Sequence, residues 1–223
     1  MKRLETRSAR AVIDLYTWTT PNGRKVSILL EELGVPYEAH AVDIEKGEQF
    51  APDFLAISPN NKIPAIRDRA TGVTLMESGA ILMWLAERHG RFLPSGEERW
   101  RTVEWLMWQM GGFGPMLGQA HHFLYPSRGK SPYAEERYAK EAQRLYGVLE
   151  TRLRGRDFVA GAGRGEYTIA DMAIWPWVSR FERQEVDLRR FPAVRDWYLG
   201  IAGRPAVRRG YDVPRAVGGI PMP

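Results

Sequence analysis

The 223-residue sequence contains no cysteine. That excludes a disulfide framework, a thiolate metal site and a CxxC redox pair, and it fits a reducing compartment. No apolar run approaches the ~20 residues of a membrane-spanning helix. After the basic start, MKRLETRSAR, only AVI precedes Asp14, which is too short for the apolar core of a secretory leader. A cytoplasmic protein with no membrane partner is expected. Dense Lys/Arg runs are missing as well, although the net charge is +5 and the pI is near 9.5. The most basic pieces, MKRLETRSAR and RPAVRRGYDVPR, lie near the ends, where solvated tails are common. No nucleic-acid partner is therefore expected. What remains is 44% hydrophobic and 26% charged residues, an ordinary balance for a chain with a sizeable core.

Hydrophobic patterning divides the chain in two. Residues 12–16 read as a β-rich strand. Pro21 then stands at a first helical turn with Thr20 as N-cap candidate. Val26, Leu29, Leu30 and Leu33 follow at helical spacing, and Gly34 ends the helix. Residues 37–42 read as a second strand. A loop-rich stretch, 43–62, carries a short helix around 53–57. Strands are expected at 64–67 and 73–76, with a turn at Thr71-Gly72, and a helix opens at Ser78. After FLPSG the strand signals vanish. Helical faces appear from Trp100 to Met110, over 132–154, over 168–183 and over 192–203, and GGFGPMLG interrupts or kinks the first of them. The expected architecture is an irregular lead-in (1–11), an α/β domain (12–90), a linker (91–96), an all-α domain (97–212) and a tail (213–223).

Three short stretches point to a ligand. In NNKIPA, a cis Ile63-Pro64 bond would leave the Ile63 backbone free to pair with an extended, peptide-like ligand. In MESGAI, Ser78 and the free amides of a helix start can hold a carboxylate, and Glu77 can pair with an ammonium. In TWTTPNGRK, Thr20, Asn22 and the helix-start amides can stabilise an anion. Each alone is explained by a loop or a cap. Together they ask for an amino-acid head, a peptide-like middle and an anionic end.

Glutathione has those parts, and the sequence resembles the glutathione transferase family over roughly residues 12–210. NKIPA and ESGAI match its binding motifs in order. TPNGRK, KGEQF, ISPNNKIPAI, WQMGGFGPMLGQAHHF and PYAEERY are similar to the bacterial Nu-class glutathione-dependent disulfide-bond reductases. The resemblance implies a thioredoxin-like N-terminal domain with an all-α C-terminal domain, a homodimer, and two glutathiones per active site. It implies that Thr20 donates to the glutathione sulfur, with Asn22 beside it. Gln49 and Lys62 would meet the glycyl end, Ile63 the cysteinyl residue, and Glu77 and Ser78 the γ-glutamyl group. Arg137 would reach a second glutathione. Thr17 and Thr19 are close enough to compete with Thr20, but register with TPNG favours Thr20. Tyr16, inside a strand, is a poor candidate.

The implied reaction is reduction of a disulfide by bound glutathione thiolate, with a second glutathione resolving the mixed disulfide. Two other readings stand beside it: conjugation of glutathione to electrophiles, and a non-catalytic binding module on the same fold. Elsewhere, TIAD (168–171) reads as a capping box with Asp171 structural. His121-His122 are adjacent and point different ways, so a metal site is not expected.

Overall fold

This computed structural model describes residues 12–223. The expected lead-in, 1–11, lies outside the described residues. The chain opens with strand β1 (Ile13–Thr17), helix α1 (Pro21–Leu33) and strand β2 (Tyr37–Ala41). A 3₁₀ turn (Glu48–Phe50) and the short helix α2 (Pro52–Leu55) cross the loop-rich stretch. β3 (Ala65–Asp68), β4 (Thr74–Met76) and α3 (Ser78–His89) complete the first half. The four strands form one mixed sheet in the order β2-β1-β3-β4. β1 runs parallel to β2 and antiparallel to β3, which is antiparallel to β4.

Local chemistry explains α1. Thr20 accepts the Gly23 N–H at 3.2 Å, Pro21 occupies the first turn, and Gly34 closes the helix at φ 69. These are the signals that satisfy orphan amides at one end and permit a left-handed residue at the other. Val26, Leu29 and Leu30 are wholly buried against the sheet and its neighbours.

The second half is helical: α4 (Gly96–Trp108), α5 (Gly114–Leu124), α6 (Pro132–Leu153), α7 (Ile169–Val178), α8 (Pro192–Ala202) and α9 (Pro205–Tyr211). One apolar core runs from Ile13 and Leu15 of β1 through α1 and α3 into α5, α6, α7 and α8. Buried α7 is the central piece, packed on α1, α3 and α4. Among the described residues no helix is long and apolar enough to cross a membrane.

Three expectations need correction. The interruption at GGFGPMLG is a π-helical turn (Gln109–Phe113), so the chain stays helical from α4 into α5. Pro115 lies in the first turn of α5, where its missing N–H leaves no gap. The helix expected over 168–183 stops at Val178, followed by a 3₁₀ turn (Phe181–Gln184). Ser179 there has ψ 0, and its hydroxyl bonds the Pro176 carbonyl at 2.7 Å, a local bond that competes with the ladder. RPAVRRGYDVPR is not a solvated tail. All of α9 lies in it, with Val207, Gly210 and Tyr211 buried, because α9 packs on α1. Ser27 donates to the Gly210 carbonyl at 2.7 Å.

Candidate active site at one end of the sheet

Strand register assembles the site. Tyr16 of β1 pairs with Ala65 of β3, and Ala65 pairs with Met76 of β4. On the other side Thr17 pairs with Ala41 of β2. The segments just beyond that rung emerge at the same end of the sheet: 18–22, 42–49, 62–64 and 77–78. Thr20, Asn22, Gln49, Lys62, Ile63, Glu77 and Ser78 all belong to those segments. Thr20 and Ser78, 58 positions apart, and the residues between them are gathered by four short strands, with two helix N-termini, those of α1 and α3, in the same place.

The Thr20 hydroxyl oxygen is engaged as an acceptor by Gly23 N–H, so its own proton remains to be donated outward. Thr20 is half-buried, as is Asn22. The Asn22 amide oxygen accepts Trp177 Nε1 at 3.1 Å, which leaves its NH₂ as the donor end. Thr19 presents its carbonyl to Arg180 at 3.1 Å. Thr17 is wholly buried and donates to the Trp18 carbonyl at 3.5 Å. Of the three threonines, Thr20 is the one whose side chain stands at the opening of the helix. Trp177 and Arg180 come from the helical half, so the turn before α1 is held from across the domain boundary. Gly23 is required there: a Cβ would lie 2.3 Å from the Trp18 carbonyl oxygen and 2.4 Å from Thr17 Oγ1.

The Ile63-Pro64 peptide is cis. Among the described residues neither the N–H nor the C=O of Ile63 takes a hydrogen-bond partner. Lys62 is exposed, and its carbonyl accepts Ser58 Oγ at 2.8 Å. Gln49 is half-buried, with its side-chain oxygen buried and unpaired.

Glu77 precedes α3 with φ 68 and ψ 112, an uncommon conformation for a side-chain-bearing residue. Such residues cluster at ligand sites. Ser78 does not cap the helix as a cap would: it is the first helical residue, and Glu77 holds the cap position without a side-chain cap bond. The Ser78 hydroxyl is instead turned inward to Lys25, whose Nζ lies 3.4 Å away. The N-terminal amides of α3 are therefore not satisfied by a side-chain cap.

Arg137 lies apart from this group. With Met116, Tyr133, Lys140 and Arg144 it lines a depression of about 510 Å³ between α5 and α6, which none of the residues at the sheet end borders.

Lys25, Gln109 and Met110 escaped the sequence reading. The signal was present. Lys25 sits four residues after Pro21 and four before Leu29, on the buried stripe of α1. Gln109 stands three after Leu106 and four before Phe113 in the same way, and all three are wholly buried. A lysine on an apolar stripe is an anomaly that periodicity alone can flag. The Asp171 carboxylate takes the Thr168 N–H, the Val159 N–H and Trp197 Nε1 at 2.9–3.0 Å. Burial nonetheless pushes its carboxyl up to about 6. It acts as the capping box of α7. Burial, with Arg183 and Arg180 nearby, lowers His121 to about 4, leaving it neutral at pH 7. His121 and His122 belong to no group of metal-ligating residues among the described ones. One group that does exist, Asp14, Glu38 and His40, is bridged by the guanidinium of Arg69, and an ion-pair network is its simplest account.

Comparison with known proteins gives the family. The family model "Glutathione S-transferase, N-terminal domain" matches residues 19–88, and "Glutathione S-transferase, C-terminal domain" matches residues 132–199. The disulfide-bond oxidoreductase YfcG of Escherichia coli is 50% identical over 201 residues, covering 87% of this chain and 92% of that protein. A Pseudomonas putida glutathione transferase structure, with one glutathione disulfide bound per subunit, superposes with TM-score 0.86 at 42% identity, covering 92% of this chain and 94% of that one. One from Burkholderia graminis, with two glutathione molecules bound per subunit, gives TM-score 0.84 at 41% identity, covering 91% and 88%. The strand-end constellation, both family models and a relative half identical along almost its whole length lead to one assignment: the chain belongs to the glutathione S-transferase family.

Proposed function

We propose that this protein is a glutathione-dependent disulfide-bond oxidoreductase of the Nu-class type. The observation that carries the reading is the meeting of the Thr20 hydroxyl, the unpaired Ile63 backbone and the Glu77-Ser78 helix start at one end of a sheet, in a chain without cysteine. The similarity to YfcG chooses disulfide chemistry over other uses of such a site.

The nucleophile is borrowed. A free thiol is largely protonated at neutral pH. Seated at Thr20, the glutathione sulfur faces a hydroxyl donor and the positive end of the thirteen-residue helix α1, and both favour the thiolate. The thiolate attacks one sulfur of the substrate disulfide, forming a glutathione mixed disulfide and expelling the other half as a thiolate. A second glutathione thiolate then attacks the glutathione sulfur of that mixed disulfide. Glutathione disulfide forms, and the remaining half leaves as a thiolate that takes its proton from solvent. Two glutathiones supply the two electrons. Gln49 and Lys62 hold the glycyl end of the first glutathione, Ile63 its cysteinyl backbone, and Glu77 and Ser78 its γ-glutamyl group. Arg137 receives a carboxylate of the second from its own or a partner subunit.

A homodimer accompanies this reading. Trp100 and Met107 of α4 and Tyr133 of α6 are large and exposed at 68%, 49% and 75%, which supports a covered surface in solution. Dependence on reduced glutathione supports a cytoplasmic location.

The test is glutathione-dependent reduction of a small model disulfide, coupled through glutathione reductase, beside conjugation of an aryl halide. Turnover of the disulfide with weak conjugation is expected. Strong conjugation without disulfide turnover would make the protein a transferase in the narrow sense. Silence in both at saturating glutathione would point to a non-catalytic binding module.

A further inference from the structure

Beneath the start of α3 lies an ammonium that the proposed chemistry leaves unused. Lys25 is 1% exposed. Its Nζ donates to Gln109 Oε1 at 2.7 Å, to Ser78 Oγ at 3.4 Å and to Met110 Sδ at 3.5 Å. An ammonium has three donors, so all three are matched, and every acceptor is neutral. The arrangement suits the charged form, yet among the described residues no carboxylate pairs with it. Exposed Glu77, one residue from Ser78, is the charged group whose field reaches it. The π-helical turn contributes only neutral Gln109 and Met110. Arg24, next along α1, is turned to Tyr211, with its guanidinium 3.4 Å from that ring's centroid. The fit is close: a Cβ on Gly79 would lie 3.2 Å from Met110 Cγ. A buried cation without an anion is costly, which raises the question of what offsets it.

Ser78 supplies the connection. Its hydroxyl accepts from Lys25 and donates only a long, weak bond to Met110 Sδ at 3.8 Å, a proton that a carboxylate at the mouth of α3 would take in its place, where the helix amides also lack a side-chain cap. A carboxylate seated there lies one hydroxyl away from the ammonium.

We propose that Lys25 is a positioning residue for the carboxylate of the γ-glutamyl group: it orients the Ser78 hydroxyl toward the ligand and supplies the buried counter-charge, so that carboxylate binding and Lys25 protonation are linked. The inference rests on the glutathione reading above. Burial lowers Lys25 to about 7, with Glu77 opposing, so the site titrates in the working range. A bound carboxylate stabilises the protonated form and raises that value. Affinity is therefore greatest below about pH 7 and falls as pH rises through the ligand-bound value.

The experiment uses S-methylglutathione, which has no thiol to titrate, with its dissociation constant measured from about pH 6 to about pH 8.5 on the full chain. A rise of about tenfold is expected for the native protein, the linkage of a one-unit change in Lys25. Lys25→Met should bind more weakly at low pH and show only the slope of the ligand's own amino group. Gln109→Glu, which holds Lys25 protonated, should move the fall to higher pH, and it serves if the methionine variant does not fold. Equal slopes in the native and variant proteins would overturn the inference while leaving glutathione binding intact. No binding at any pH would sink the glutathione reading itself, and this inference with it.

Discussion

The oxygen of Thr20 accepts the Gly23 N–H, and in the proposed function its proton goes to the glutathione sulfur, which would tie one side chain both to helix stability and to thiolate binding. The two contributions separate by substitution. Thr20→Ala should lower stability by about 1 kcal/mol, the usual loss of an N-cap, measured by denaturant unfolding. It should also slow disulfide turnover by about tenfold, the size of one hydrogen bond to a charged group of about 1.5 kcal/mol. Thr20→Ser keeps the oxygen and should restore both. A Thr20→Ala protein with full turnover would remove Thr20 from the sulfur site. Thr20 was legible because Thr-Pro before an apolar periodic run is a helix-start signal. Trp177 and Arg180, which bond its neighbours Asn22 and Thr19 from more than 150 residues away, left no local mark.

At the scale of elements, helix starts carry most of the specific chemistry. α7 is the buried example. Thr168 and Asp171 were readable as a capping box from their spacing alone. The sequence did not show that Asp171 also takes the Val159 N–H and Trp197 Nε1, which tie the loop before α7 and helix α8 to one carboxylate. Asp171→Ala strands three buried donors. A loss of about 3–5 kcal/mol is expected, from buried donors left unpaired, seen in thermal or denaturant unfolding. The surviving folded fraction should keep its per-molecule activity. Loss of turnover in fully folded protein would instead give Asp171 a part in the chemistry. α3 is the contrasting case. Ser78 has the identity of a cap, but it is the first helical residue, after Glu77 in the cap position; Lys25 draws its hydroxyl inward, and the preference of serine for caps yields to a tertiary contact.

For the whole molecule, the α1–α9 contact decides whether the glutathione-side domain and the chain's end form one body. Gly210 touches the backbone of Ile28, and a Cβ there would lie 2.7 Å from Ile28 N and Cα. Arg24 donates to the Tyr211 carbonyl at 3.1 Å and lies over its ring. Around this contact Arg204 pairs with Glu32 and Arg209 with Glu31. Gly210→Ala should cost about 1–3 kcal/mol by overpacking, a fall in Tm of roughly 2–4 °C per kcal/mol at this length. An unchanged Tm would show that α9 is free to shift from α1. Composition suggested a solvated basic tail here, because arginine count is visible and the apolar positions between the arginines, Ala206, Val207 and Tyr211, are too few for a strong periodic signal.

The sequence by itself determined the two-part architecture and the extent of α1, because caps, breakers and periodicity are local and each acts within a few positions of its own chain; the candidate site residues came from motif resemblance as well. Tertiary structure alone decided what those residues face. Register brings Thr20, Ile63 and Ser78 to one rung's end. Packing of α7 fixes the partners of Asn22 and Thr19. The approach of the π-helical turn to α3 encloses Lys25. Burial and hydrogen-bond partnership are properties of neighbours distant in the chain, and a single sequence records them only as anomalies, such as a lysine on an apolar stripe.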